Sequence, residues 1–232
     1  MVREGRKGSG NQFITLDGKK RLATVNLVPS STVYGERLII IDGIEYRTWD
    51  PFRSKLAAGV LKGLRNFPFV EGVSVLYLGV STGTTASHLS DIVGEEGVIY
   101  GVEFAHRVMR EFVDRVAKNR INVIPIVEDA RRPERYFHLI GKVDVVYCDI
   151  AQADQTEIAM SNCRKHLNRG GYLILVVKAR SIDVTRTPKQ LFRKERQKLK
   201  KNDFEVEQMV ELDPFDRDHA MISARWRNKE DH

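Results

Sequence analysis

The chain has 232 residues, with 38 Lys+Arg against 31 Asp+Glu and a formal charge of +7, and it is 42% hydrophobic and 30% charged. This balance excludes wholesale disorder, and the length suits one full α/β domain with a small appendage. The two cysteines, Cys148 and Cys163, have neither metal-ligand spacing nor a disulfide framework, no metal is expected, and no apolar run approaches the roughly 18 residues needed to span a bilayer.

Residues 1–10 are basic, lack the apolar segment of a signal peptide and read as a frayed start. A soluble cytoplasmic protein without a membrane partner is expected. From Phe13 to Trp49 the pattern is β-like, with apolar runs at 22–28 and 37–41 bounded by turn residues. Asp42-Gly43 between Ile41 and Ile44 is a favoured hairpin dipeptide. Pro51 then opens a helix expected from Ser54 to Leu64, with Leu56, Val60, Leu61 and Leu64 on one face. From Val73 strands and helices alternate. Strands are expected at 73–78, 98–102, 123–127, 143–148 and 172–177, and helices at 84–92, 106–118, 156–167 and 188–201. Two closing strands, 204–212 and 220–226, follow. Near-continuous apolar strands between helices imply a mainly parallel, doubly wound α/β sheet. The expected division is a small β-rich unit, residues 1–52, and an α/β unit, residues 53–232.

In such sheets ligands bind beyond the carboxyl ends of the strands. After the first parallel strand comes Gly79-Val80-Ser81-Thr82-Gly83-Thr84-Thr85, a turn in which Gly79 and Gly83 allow close ligand approach. Its spacing is not GxGxxG, and a purely structural turn is the competing reading. Glu103 ends the second strand and can accept hydrogen bonds from ribose hydroxyls. Asp129, after the third strand, can accept from an adenine amino group, and Asp149 ends the fourth. Acids after successive strands point to an adenosine-type ligand. They would repel a pyrophosphate, so a nicotinamide dinucleotide is disfavoured against S-adenosylmethionine, which carries a cationic sulfonium and no phosphate.

Several long motifs then carry a resemblance. They are Tyr46-Arg47-Thr48-Trp49-Asp50-Pro51-Phe52-Arg53-Ser54-Lys55-Leu56-Ala57-Ala58, Leu76-Tyr77-Leu78 running into the turn at Gly79, Ile124-Pro125-Ile126-Val127-Glu128-Asp129-Ala130-Arg131, Asp149-Ile150-Ala151-Gln152-Ala153-Asp154-Gln155 and Asp218-His219-Ala220. In this order, from about Asn11 to the end, the chain resembles the fibrillarin family in its compact archaeal form. These are the methyltransferase subunits of box C/D guide-RNA ribonucleoproteins. The resemblance implies a class I S-adenosylmethionine-dependent methyltransferase fold. It also implies ribose 2′-O-methylation of RNA (rRNA and tRNA) directed by a box C/D guide RNA. The implied partners are target RNA, a scaffold protein and, through it, a kink-turn-binding protein. Carried over, Gly79, Thr84, Thr85, Glu103, Phe104, Asp129, Ala130, Asp149, Ile150, Ala151 and Gln152 would contact the methyl donor.

Read alone, Lys178 after the fifth strand could simply snorkel, and Lys55 stands at a helix start, where the dipole disfavours a cation. The resemblance implies a catalytic set of Lys55, Asp149, Lys178 and His219 around the target oxygen, with Lys178 preferred as proton acceptor. His219 retains a structural alternative, as a histidine satisfied between the closing strands. A donor-binding scaffold without chemistry of its own is the alternative function, and the Lys/Asp set argues against it.

Residues 186–201 hold eight basic residues and one acid, Glu195, a local net of +7 equal to the whole excess. This run is either a solvated helix face or a track for RNA phosphates beside Lys178, with Lys194, Lys198 and Lys201 as natural probes.

Overall fold

The computed structural model describes residues 11–16 and 19–227; the expected frayed start lies outside the described residues. The N-terminal unit is an antiparallel sheet of β1 (Asn11–Leu16), β2 (Lys19–Val25), β3 (Leu38–Ile41) and β4 (Ile44–Thr48), in the order β1-β2-β4-β3. At its tip Asp42 and Gly43 have φ of 51° and 79°, the double positive φ of a two-residue hairpin turn, and Ile41 pairs with Ile44.

α1 (Lys55–Leu61) begins at Ser54, whose hydroxyl accepts from Ala57 N. It stops short of the expected Leu64. Gly63, at φ 89°, takes the left-handed position, while Leu64 N donates to Gly59 O and Gly63 N to Val60 O. That pair of bonds is a Schellman ending, which an apolar periodicity continuing to Leu64 does not reveal.

The large sheet contains β5 (Ser74–Leu78), β6 (Val98–Val102), β7 (Val123–Ile126), β8 (Val143–Cys148), β9 (Leu167–Lys178), β10 (Phe204–Glu211) and β11 (His219–Trp226). Its order is β10-β11-β9-β8-β5-β6-β7, with β11 antiparallel to both neighbours and β5 to β9 parallel. The helices are α2 (Thr84–Val93), α3 (His106–Arg115), α4 (Gln155–His166), α5 (Ala179–Ile182) and α6 (Pro188–Lys200). The expected helix 106–118 divides into α3 and a 3-10 turn, Ala117–Asn119. Around that break Phe112 and Val116 fill the space where a Cβ on Gly83 would stand.

The sheet is covered on both faces. Leu173, Leu175 and Val177 of β9 pack with Leu191 and Phe192 of α6 on one side, and Ile174 and Val176 pack with Leu56 and Leu89 on the other. Leu22 and Trp49 of the N-terminal unit belong to that second core, so the two sheets share apolar contacts. Among the described residues no helix is long and apolar enough to cross a membrane.

Candidate active site

β5 and β8 are hydrogen-bonded neighbours whose crossovers leave in opposite directions, to β6 on one side and β9 on the other. This is the switch point of the sheet, where a crevice opens beyond the strand ends. Gly79 follows β5 there with φ 77°, a region costly for any side chain-bearing residue. A Cβ at Gly79 would stand 2.9 Å from Ile150 Cγ2 and 3.0 Å from Asp149 O. Only glycine lets the two strand ends approach this closely.

Asp149 leaves β8 in the same crevice with its side chain 12% exposed. Lys178, the last residue of β9, brings Nζ to 2.8 Å from Asp149 Oδ1 and donates to Asp149 O at 2.8 Å. Gln155 opens α4 and fixes the Lys178 backbone, accepting from its N–H at 3.0 Å. From the opposite side Lys55, first residue of α1, reaches Asp149 Oδ2 at 3.5 Å and Asp216 Oδ2 at 3.7 Å. Asp216 in turn lies 2.9 Å from His219 Nδ1, and His219 is the cross-strand neighbour of Lys178. Because Nδ1 also faces the Arg217 carbonyl at 2.6 Å, Nδ1 carries a hydrogen. Burial alone would push the Asp216 carboxyl up. The His219 hydrogen bond and the charges of His219, Lys55 and Lys178 outweigh burial and hold it below the ordinary carboxylate value.

Beside this cluster lies a cavity of about 380 Å³ whose wall includes Gly79, Glu103, Phe104, Asp129, Asp149 and Lys178. Its size falls in the range of small-ligand sites. Ala130, Ile150, Ala151 and Gln152 also line it, as do Ser81, Val102, Glu128, Arg131 and Ile158. Glu103 Oε1 accepts from Ala105 N at 3.0 Å, and Asp129 Oδ1 from Arg131 N at 2.9 Å, so each carboxylate is oriented; Asp129 Oδ2 also lies 3.9 Å from the Arg131 guanidinium. Phe104 is 63% exposed, an apolar ring presented at the mouth.

The model of the family described as Fibrillarin matches residues 4–228. The chain belongs to the fibrillarin family. It is 53% identical over 213 residues to the fibrillarin-like rRNA/tRNA 2′-O-methyltransferase of Sulfurisphaera tokodaii, covering 92% of this chain and 91% of that protein. Among solved structures, it is similar to Aeropyrum pernix fibrillarin in complex with natively bound S-adenosyl-L-methionine, at 49% identity and TM-score 0.88 over 97% of this chain and 100% of that one. It is similar too to the fibrillarin of a fibrillarin/Nop5p complex, at 39% identity and TM-score 0.83 over 93% and 97% of the two chains.

In this fibrillarin fold the residues present fit S-adenosylmethionine. A bare glycine turn that a Cβ would fill and acids at three strand ends suit a cationic, phosphate-free adenosine ligand. The cavity gathers Gly79, Glu103, Phe104, Asp129, Ala130 and 149–152, and with them Lys178. Lys55 and His219 join through Asp149 and Asp216 and are not on the cavity wall. Thr84 and Thr85 open α2 and are not on that wall, and Thr85 Oγ1 bonds Ser54 Oγ, the residue before Lys55, at 2.9 Å. Sequence reasoning missed Asp216, an acid in a turn full of acids, and Arg131, whose guanidinium bonds Gln152 and approaches Asp154. The only signal for Arg131 was its place next to Ala130 in the third strand-end motif.

Proposed function

We propose that Lys178 accepts the proton of the target ribose hydroxyl while Asp149 positions it, with Lys55, Asp216 and His219 bracing that carboxylate from the far side. The chain is an S-adenosylmethionine-dependent RNA 2′-O-methyltransferase. When bound, S-adenosylmethionine supplies an electrophilic methyl carried on a cationic sulfur. Glu103 would accept from the ribose hydroxyls of the donor, Asp129 and Ala130 would meet its adenine edge, and Phe104 would pack on the ring. The 149–152 segment and Gly79 would hold the remainder.

The chain's own work is positional and electrostatic. Asp149 holds Lys178 Nζ at two points, its carboxylate and its main-chain carbonyl. That fixes Nζ where, once its own ammonium proton has gone to solvent, the neutral amine would accept the proton of an approaching 2′-hydroxyl as the oxygen–carbon bond forms and the methyl–sulfur bond breaks. The carrying observation is this convergence of two lysines from different elements on one nearly buried carboxylate beside the donor cavity. The reading extends to the assembly: a scaffold protein like the Nop5p of the related complex, a box C/D guide RNA pairing with the target, a kink-turn-binding protein on that guide, and a cytoplasmic location.

Methyl transfer from labelled S-adenosylmethionine to guide-paired RNA is the test, with the product mapped to the nucleotide. Lys178→Ala and Asp149→Ala are each expected to lose about 10²–10⁴-fold in turnover, with circular dichroism and melting close to the parent. Near-normal turnover in either variant overturns the assignment, and a methyl group on a base overturns the reaction class.

A further inference from the structure

A second concavity, about 600 Å³, lies on the other side of α1, between that helix and the N-terminal sheet. Its wall includes Arg21, Arg37, Arg53, Asp50, Phe52 and Trp49. The donor cavity has four acids on its wall against Arg131 and Lys178, whereas this groove carries three arginines. One acid on its wall, Glu36, is engaged by buried Arg47. Asp50 turns Oδ1 onto the Phe52 N–H at 2.9 Å. Arg53 is held by Tyr34, donating to its carbonyl at 3.2 Å with the guanidinium 5.6 Å from the ring centre.

At the end of the groove nearest the catalytic cluster stands Phe52, 71% exposed. Exposure of a single apolar side chain is ordinary, and Ile40 and Ile121 are at least as exposed. This one, however, is placed: its backbone is pinned by Asp50, and its ring meets Phe215 edge to face, with centroids 5.3 Å apart. Phe215 precedes Asp216, and Phe52 lies three residues before Lys55. Both rings of this pair are therefore tied in sequence to groups that surround Asp149.

We propose that the substrate RNA runs from the catalytic cluster across Phe52 into this arginine-lined groove, and that a nucleotide adjoining the methylated one stacks its base on the Phe52 ring. Every base offers a π-face, so such a platform holds the strand without reading its sequence. The arginines receive the following phosphates as bidentate donors. The chemistry of the groove, cationic with one rigid exposed aromatic, matches a nucleic-acid strand better than the acidic donor cavity does. A platform so close to the reacting group also sets where along the strand the attacking oxygen lies.

This inference rests on the RNA methyltransferase reading, and the experiment separates their failures. Full-length parent, Phe52→Ala and Phe52→Trp are assembled with guide RNA and scaffold protein. Each is assayed on an intact target and on targets made abasic at the nucleotide on either side of the methylated ribose. Phe52→Ala is expected to lower kcat/KM on intact RNA by about 5- to 150-fold, as loss of one stacking contact does, while calorimetric affinity for S-adenosylmethionine stays at the parent value. Phe52→Trp retains activity. One abasic target lowers the parent rate comparably and abolishes the difference between parent and Phe52→Ala. Equal activity of Phe52→Ala on intact RNA overturns the proposal, as does an unchanged penalty on both abasic targets. Loss of scaffold-protein binding by Phe52→Ala without RNA would assign the ring to a protein contact and overturn it as well. A parent that methylates no ribose fails the underlying reading instead.

Discussion

The carboxylate of Asp216 stands between Lys55 and His219, at 3.7 Å and 2.9 Å, and joins the turn before β11 to the first residue of α1. Its folded-state pKa lies below the ordinary value of 3.8 because the histidine and two lysines outweigh burial. A carboxyl with a depressed folded pKa stabilises the fold at pH above its unfolded value, and that stability is lost as pH falls through the folded value. Asp216→Asn should therefore cost up to about 1 kcal/mol at neutral pH, the scale of a partly exposed pair. The gap to the parent should close below pH 4, the ordinary carboxylate range. Urea unfolding at pH 7, 5 and 3 tests this, and a gap that widens in acid contradicts it. Lys55 and Asp149 were legible in the sequence because each sits at the end of a periodic element inside a long motif, and Lys178 because it closes the apolar run of the fifth strand. Asp216 was not. A turn acid has no periodicity, and what singles it out is a pairing with distant α1 that only the tertiary fold creates.

At the scale of elements, the junction between the N-terminal sheet and α2 is ionic as well as apolar. Arg47 of β4 is fully buried, bonding Glu36 Oε1 at 2.7 Å, Asp91 Oδ2 at 2.8 Å and Ser87 Oγ at 2.9 Å. Arg120 takes the other Asp91 oxygen at 2.6 Å. Thr24 donates to Asp91 at 2.7 Å, and His88 bridges Thr24 and Tyr34 while stacking on Trp49. Burial, with the charges of Arg47 and Arg120, keeps the His88 pKa well below its usual value, so the ring is neutral. Removing one partner of such a network strands the others. Arg47→Met should cost about 3–5 kcal/mol and lower Tm by roughly 6–20 °C for a chain of this size. We propose that the boundary between residues 52 and 53 separates two sheets but not two folding units. Calorimetry should show a single transition in parent and variant alike, and two resolved transitions would refute it. The strands and helices were legible from their periods, often to within a residue or two. Arg47 as a core residue was not, because a charged side chain in a strand ordinarily marks the wet face.

Over the whole molecule the excess of +7 equals the net charge of residues 186–201, and the fold divides that run unequally. α6 turns Leu191, Phe192, Glu195 and Leu199 inward. Lys198 neutralises that buried acid at 2.8 Å and Glu157 of α4 at 2.8 Å, so it is a structural cation and a poor probe of RNA contact. Lys189, Lys194 and Lys201 are exposed on the outer surface. The run is thus a solvated basic face through most of its cations, with Lys198 alone taken up by acids of the fold. A polyanion that engages the outer face releases counterions, and log affinity falls with log salt by about 0.7–0.9 per phosphate neutralised. The triple variant Lys189→Gln, Lys194→Gln, Lys201→Gln should weaken RNA binding at low salt and flatten that dependence by roughly 2–3, leaving affinity for S-adenosylmethionine unchanged. Filter binding across a salt series distinguishes this from general damage: a loss of affinity equal at every salt concentration means that the outer face of α6 does not meet phosphate.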